Sequence, residues 1–304
     1  MSEQPEPQHP VVEHPVFQAG RVAVITGAAS GIGLAAALYC ASRGMRLCLA
    51  DTNTAALDAA LAAIAALPNV AASKAARTNV AEAITVPTDV SRRDEVERLR
   101  DRAYAAFGEV GLLMNNAGRE GGGALSGDPE RWADIIGTNL WGVVNGVQVF
   151  APAMVAQGTP GAIVNTGSKQ GITCPPGDTA YNVSKAGIKV VTEALAHDLR
   201  NTEDCRVTAH LLVPGFTFTG FTRVRVSEKP PAAWTPEQVV EFMVTRMGAG
   251  DFYLICPDND VTRPVDNARM LWAAMDITEN RPPLSRWHPD YAEAFKAFLA
   301  ERGL

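Results

Sequence analysis

Thr26-Gly27-Ala28-Ala29-Ser30-Gly31-Ile32-Gly33 stands between two segments of different character. Before it, Arg21-Val22-Ala23-Val24-Ile25 is a short apolar, partly β-branched run, the pattern of a buried strand. After it, the residues from Ile32 to Arg43 read as a helix. A strand that passes through a glycine-rich turn into a helix opens a βαβ unit. Arg46 to Ala50, ending at Asp51, supplies the next strand. The alanine-rich stretch from Ala55 to Leu67 supplies the next helix, which stops before Pro68.

The alternation continues outward from that unit. Residues 69 to 82 lack clear periodicity and read as a surface insertion ahead of a third strand, Ala83 to Val86. Ser91, with Asp94 three places on, reads as a capping box for a charged helix that runs to Phe107 and closes at Gly108. Strand Gly111 to Met114, helix Pro129 to Gln157, strand Ala162 to Thr166, helix Ala180 to Arg200 and strand Arg206 to Val213 follow. Thr235-Pro236-Glu237-Gln238 is a strong helix start, with Thr235 as cap and Pro236 at the first helical position. A last strand spans Asp251 to Cys256, and helices are expected around Val265 to Met275 and Tyr291 to Arg302. Strands alternating with helices throughout predict a parallel sheet covered on both faces. No internal repeat or linker divides the chain. The expected organisation is a mobile tail over 1–17, a catalytic domain over 18–257, and a helical extension over 258–304 packed on the same domain.

Composition excludes several classes of function. The 304 residues carry a formal net charge of -6, and the 27 Lys and Arg are scattered, which argues against a nucleic-acid partner. Five cysteines without C-x-x-C spacing point to reduced thiols rather than disulfides or a metal site, as in a cytoplasmic protein. The segment Met1 to Pro15 has neither the basic nor the apolar region of a secretory signal. No apolar run has the length of a spanning helix, so no membrane partner is expected.

A glycine-rich turn between strand and helix lets backbone N–H groups approach phosphates, whose charge is also favoured at the helix N-terminus. Alone, the same turn could be a plain strand-to-helix connection. Asp51 sharpens the reading, because a carboxylate about 20 residues on, at the end of the second strand, can accept hydrogen bonds from the adenosine ribose. It would also repel a 2′-phosphate, and no Arg or Lys within the turn would neutralise one. NAD is therefore expected over NADP.

Tyr181-Asn182-Val183-Ser184-Lys185 begins an amphipathic helix, on which residues four apart share a face. A phenol and an ammonium can thus reach one site, although a surface pair would have the same spacing. With the glycine turn, this pair makes the chain resemble a short-chain dehydrogenase/reductase over about Arg21 to Cys256. Further motifs fall in that family's order: Asp89-Val90, Asn115-Asn116-Ala117-Gly118, Thr138-Asn139-Leu140, Ser168 thirteen residues before Tyr181, and Pro214-Gly215 followed by Thr219.

The resemblance implies a Rossmann-like, doubly wound α/β fold and four catalytic residues, Asn139, Ser168, Tyr181 and Lys185. Tyr181 would be the general acid/base. Bringing its pKa from about 10 toward neutrality requires ~4 kcal/mol of preferential phenolate stabilisation, which Lys185 and an oxidised nicotinamide could supply. Lys185 would also bind the nicotinamide ribose, Ser168 would hold the substrate oxygen, and Asn139 would support a water that links Lys185 to solvent. Gly27, Ser30, Gly31, Ile32 and Gly33 would cradle the pyrophosphate. Asp89 and Val90 would flank the adenine, Asn116, Ala117 and Gly118 would line the cleft, and Pro214, Gly215 and Thr219 would contact the cofactor, Thr219 at its carboxamide or phosphates. A homodimer or homotetramer is implied as well.

Departures from the pattern bear on the substrate. Lys169-Gln170 puts a cation and an amide directly after Ser168, and Lys169 is expected to reach out to water. Gln170, Cys174, Phe216, Phe218 and Phe221, with Trp141 and Pro175, outline a largely apolar pocket for a bulky aromatic or alicyclic alcohol or ketone. The aromatics could equally pack their loop against the body. Trp272, Trp287 and Tyr291 give the extension apolar mass, so it is expected to dock and to cover the substrate opening. The alternative to an enzyme is a cofactor-binding regulatory or assembly protein of the same fold, for which the complete set of four catalytic residues has no physical need.

Overall fold

The structure, a computed structural model, describes residues 14–70, 82–220 and 228–304. Seven strands form one parallel sheet: β1 (Val22–Thr26), β2 (Arg46–Asp51), β3 (Ala83–Pro87), β4 (Leu112–Asn115), β5 (Gly161–Thr166), β6 (Val207–Val213) and β7 (Tyr253–Ile255). Their order is β3-β2-β1-β4-β5-β6-β7. The chain starts at the centre, winds out to β3, then crosses back and winds out to β7. The reversal falls between β1 and β4, where the carboxyl ends of the strands leave a crevice.

Every residue of β1 and β5 is buried, which explains why the first strand reads as an apolar run rather than an alternating one. Ala23 and Ile25 pack one way, into a core completed by the helices Gly31–Ser42, Thr54–Ala65 and Pro236–Gly248. Val22 and Val24 pack the other way, against the helices Arg93–Phe107, Gly142–Ala156 and Thr179–Arg200. The doubly wound α/β expectation is met.

Local differences have identifiable causes. Ser91 does not cap the Arg93–Phe107 helix: its Oγ donates to Asp89 Oδ1 at 2.7 Å, and the N-cap residue is Arg92. The short Asp89 side chain thus captures the hydroxyl in a turn before the helix begins. The helix expected over 129–157 is continuous but changes pitch, with a π-helical turn, Ile136–Trp141, between Pro129–Ile135 and Gly142–Ala156. The capping box at Thr235 is present as read.

The boundary of the expected tail needs correction, because Val16 and Phe17 are fully buried in the core. Phe17 packs edge-on to Tyr39. The insertion read at 69–82 lies mostly outside the described residues. Beyond β7, the helices Arg263–Thr278 and Ala292–Ala300 close on their own small core of Ala268, Trp272 and Phe298. Trp272 Nε1 donates to Ser285 Oγ at 2.8 Å, and Arg281 lies over the same indole at 4.1 Å from the ring centroid.

Candidate active site

A cleft of about 690 Å³ opens at the carboxyl ends of the strands. One end is built by the glycine turn. Gly27 adopts φ +65, and a Cβ there would lie 2.8 Å from Ala117 Cα, so turn and neighbouring loop touch backbone to backbone. Gly33 is not in the lining. Its role is behind the turn, where a Cβ would fall 2.2 Å from Gly27 O, so only glycine lets the helix approach this closely. Ser30, Gly31 and Ile32 do line the cleft, and the Ser30 side chain makes no cap hydrogen bond among the described residues. The first-turn N–H groups are the donor set a pyrophosphate accepts, so the residues present fit a dinucleotide.

Asp51, at the end of β2, is held beside that turn. Its Oδ2 accepts from Ala29 N at 3.2 Å and its Oδ1 from Asn53 N at 3.0 Å. Asp89, Val90, Asn116, Ala117 and Gly118 line the middle of the cleft. Thr26 organises this region in a way that sequence reading missed. Its Oγ1 accepts from both Asn116 N, 3.0 Å, and Ala117 N, 3.1 Å, pinning the loop after β4 to β1. A threonine at a strand end carries no mark of such a partner in its own neighbourhood.

The other end of the cleft is formed by Ser168, Tyr181 and Lys185, with Pro214, Gly215, Phe216 and Thr219 across from them. Tyr181 and Lys185 share a face of the Thr179–Arg200 helix, with Lys185 Nζ 5.5 Å from the Tyr181 ring centroid. The same Nζ donates to Thr166 O at 2.8 Å, which fixes the buried ammonium at the end of β5. Asp178 caps this helix and also accepts from Gly121 N, 3.0 Å, and Gly123 N, 3.1 Å, tying the helix start to the loop after β4. An Asp three residues before Tyr181 is a cap signal that could have been read from the sequence.

Asn139 lies behind the cleft, fully buried in the π-helical turn. Its Oδ1 accepts from Arg119 N at 2.7 Å, and its Nδ2 donates to Arg119 O at 2.9 Å and to Ser184 Oγ at 3.1 Å. Both ends of the amide are therefore engaged with protein. Arg119 and Glu120 themselves line the cleft and were not anticipated.

The electrostatics within the chain run opposite to expectation at Tyr181. Burial pushes its pKa up to about 12, against a hydrogen bond from Ser168 that lowers it, while Glu120 and Asp178 raise it further. Burial pulls Lys185 down to about 8. Lys185 by itself does not make the phenol acidic, because the desolvation that weakens the ammonium also penalises the phenolate.

The substrate end brings together only part of the expected set. Gln170 and Phe216 line the cleft, with Phe216 41% exposed. Phe218 and Cys174 are not in the lining; Phe218 N instead donates to Trp234 O at 2.8 Å. Phe221 lies outside the described residues. Trp141 is exposed on the outer surface, and Pro175 borders a separate, smaller cavity. Lys169 does not reach out to water. Its Nζ is 2.6 Å from Asp266 Oδ2 and 3.3 Å from Asp258 Oδ2, so two carboxylates of the extension hold it inside. Among the described residues no group of His, Cys, Asp and Glu could hold a metal ion, and no helix is long and apolar enough to cross a membrane.

Comparison with known proteins identifies what the chain is similar to. A family model described as short chain dehydrogenase matches residues 21–230. A putative oxidoreductase, SadH, of Mycobacterium tuberculosis is 38% identical over 59% of this chain, which spans 61% of that relative's length. The 3-oxoacyl-[acyl-carrier-protein] reductase FabG of Thermotoga maritima is 32% identical over 77% of this chain and 85% of its own. Among solved structures, a short chain dehydrogenase/reductase from Burkholderia phymatum in complex with NAD superposes with a TM-score of 0.75 at 35% identity, covering 88% of this chain and 97% of that one. A metagenomic short-chain oxidoreductase in complex with NADP superposes with a TM-score of 0.64 at 27% identity, covering 79% and 98%.

Proposed function

The chain belongs to the short-chain dehydrogenase/reductase family; we propose that it is an NAD(P)-dependent oxidoreductase acting on CH–OH groups, that it interconverts a secondary alcohol and a ketone, prefers NAD, and uses Tyr181 as general acid/base. The observation that carries this reading is the convergence of Ser168, Tyr181 and Lys185 on the cleft whose far end is made by the glycine turn and Asp51.

The nicotinamide, when bound, supplies or accepts the hydride. Tyr181 gives its phenolic proton to the carbonyl oxygen in reduction and takes a proton from the alcohol in oxidation. Ser168, which lines the cleft with Tyr181, holds the same oxygen and so fixes the carbon for transfer. Lys185 spends one of its three donors on Thr166 O and has two left for ribose hydroxyls. The high pKa that burial imposes on Tyr181 makes the phenol a poor acid until a further positive charge arrives, as an oxidised nicotinamide would bring.

Asp51 supports the preference for NAD. Among the described residues, the cations in the cleft lining, Arg119, Lys169 and Lys185, come from neither the glycine turn nor β2, so none of these accompanies Asp51 in the segment that would meet a 2′-phosphate. Phe216 supports a substrate with a bulky apolar body. Trp141, Val183 and Val190 are exposed on the helices around Asn139 and Lys185, which supports a homodimer or homotetramer through those faces.

A panel of alcohols and ketones followed by NADH absorbance, with NADPH in parallel, tests the reading. Tyr181→Phe should lose ~10²–10⁴-fold in turnover while still binding cofactor. Retained turnover would overturn the assignment of Tyr181.

A further inference from the structure

Next to the main cleft lies a second cavity, of about 180 Å³, which shares Lys169 and Gln170 with it. The rest of its wall includes Arg269, Met270, Arg286 and Trp287 from the C-terminal extension. Two arginine residues, with Asp266 in the same wall, thus border a small space that adjoins the residues following Ser168. They also feel one another, since the charge on Arg269 opposes protonation of Arg286.

Placing two arginines together costs electrostatic energy unless anions compensate. Asp266 is the nearby carboxylate that acts on both, and its Oδ2 is already paired at 2.6 Å with Lys169, which Asp258 also contacts. Within the cavity wall, Lys169, Arg269 and Arg286 therefore face Asp266, three positive charges against one negative, with Asp258 outside the wall paired to Lys169 and Arg263 also acting on Asp266. Among the described residues, Arg269 Nε is buried with no hydrogen-bond partner. No described residue therefore satisfies this part of the Arg269 guanidinium. Arg286 is held in place by its guanidinium lying over the Trp287 ring, 4.5 Å from the centroid, rather than by a carboxylate.

We propose that this cavity is an oxyanion subsite for the substrate: Arg269 and Arg286 bind a carboxylate or phosphate carried at the end remote from the reacting carbon, and Gln170 lies along the path between the two. The inference rests on the reading of Tyr181 and Ser168 as the reacting end. It narrows the substrate class to alcohols and ketones with an apolar body and an anionic terminus. It also gives the extension a direct part in specificity, because both arginines belong to it.

The test uses the full chain with NADH and a homologous series of straight-chain methyl-ketone carboxylic acids, their methyl esters, and the corresponding phosphonates. At one chain length the acid or the phosphonate should have a KM about ten- to a hundredfold below the ester's, and whichever of the two is preferred identifies the oxyanion. In Arg269→Gln and in Arg286→Met that advantage should disappear, with the ester as internal control for damage to the fold. Arg286→Lys, which keeps the charge, should retain part of it. Equal losses for acid and ester, or no preference at any length, would overturn the proposal. Direct binding of the same compounds to Tyr181→Phe with NADH separates the two readings. Arginine-dependent binding of the acid without turnover by the parent enzyme would overturn the catalytic reading and leave the subsite standing; turnover without arginine dependence would do the reverse.

Discussion

Lys169 Nζ lies 2.6 Å from Asp266 Oδ2, so the residue after Ser168 is anchored to the first turn of the Arg263–Thr278 helix. Their side chains are only 17% and 4% exposed. Removing one member of such a pair leaves a poorly solvated charge, and removing Lys169 strands two, because it also pairs with Asp258, whose side chain is 7% exposed. Asp258 still accompanies Lys169 if Asp266 is lost, which limits the damage. Asp266→Asn should therefore destabilise the chain by about 1–3 kcal/mol. Lys169→Met, which leaves both Asp258 and Asp266 without their cation, should cost more than Asp266→Asn, as read from urea unfolding midpoints. A Lys169→Met variant no less stable than Asp266→Asn would show that Lys169 does not serve both carboxylates.

The partner of Lys169 also shows where sequence reading ends. The strands, the glycine turn and the Tyr181–Lys185 face are local patterns, and each could be read from a few consecutive residues. Lys169 meets Asp258, 89 positions along the chain, and no local pattern announces that contact. Its long stem is equally compatible with reaching water, which is what the sequence led us to expect. Asn139 was found as a candidate, but the π-helical turn around it was not, because that register depends on packing. Ser91 was misread because two short polar residues, Ser91 and Asp89, competed for one turn. The arginines of the second cavity lie in a segment whose sequence gives only helices and aromatic mass.

Gly33 offers a test of the cofactor cradle that does not touch the cleft lining. A Cβ at this position would fall 2.2 Å from Gly27 O and 2.7 Å from Asn116 Nδ2. Gly33→Ala must push the helix away from the turn, at a cost of about 1–3 kcal/mol of stability. The displaced N–H groups should weaken NAD binding about tenfold or more. Calorimetric titration with NAD checks this, and unchanged affinity would show that the helix does not need to sit so close.

His14 gives the fold a pH dependence of predictable sign. Its ring meets that of His210 edge-on, with centroids 5.7 Å apart, and burial, aided by the charge on His210, pulls its pKa down to about 4. Burial lowers His210 as well. In the unfolded chain both would titrate near 6.5, so between that pH and about 4 the unfolded state binds more protons. The stability associated with neutral His14 is thus complete above pH 6.5 and is lost as pH falls toward 4. His14→Gln should flatten that part of a plot of unfolding free energy against pH. An unchanged slope would mean that His14 does not contribute.

Asp51 decides between the two cofactors in the proposed reading, and its surroundings dictate which substitution can show it. The carboxylate accepts from Ala29 N with one oxygen and from Asn53 N with the other. An alanine would therefore disturb the glycine turn as well as remove the charge. Asp51→Asn keeps an acceptor oxygen for one of those bonds and changes mainly the charge. A charge-assisted hydrogen bond to a ribose hydroxyl is worth about 1.5–3 kcal/mol, so kcat/KM with NAD should fall roughly ten- to a hundredfold. With NADP the loss of repulsion at the 2′-phosphate acts in the opposite direction, and kcat/KM should rise or hold. The ratio of the two is the decisive quantity, because a general disturbance of the turn would lower both together. A ratio that stays at its original value would place cofactor choice elsewhere in the cleft.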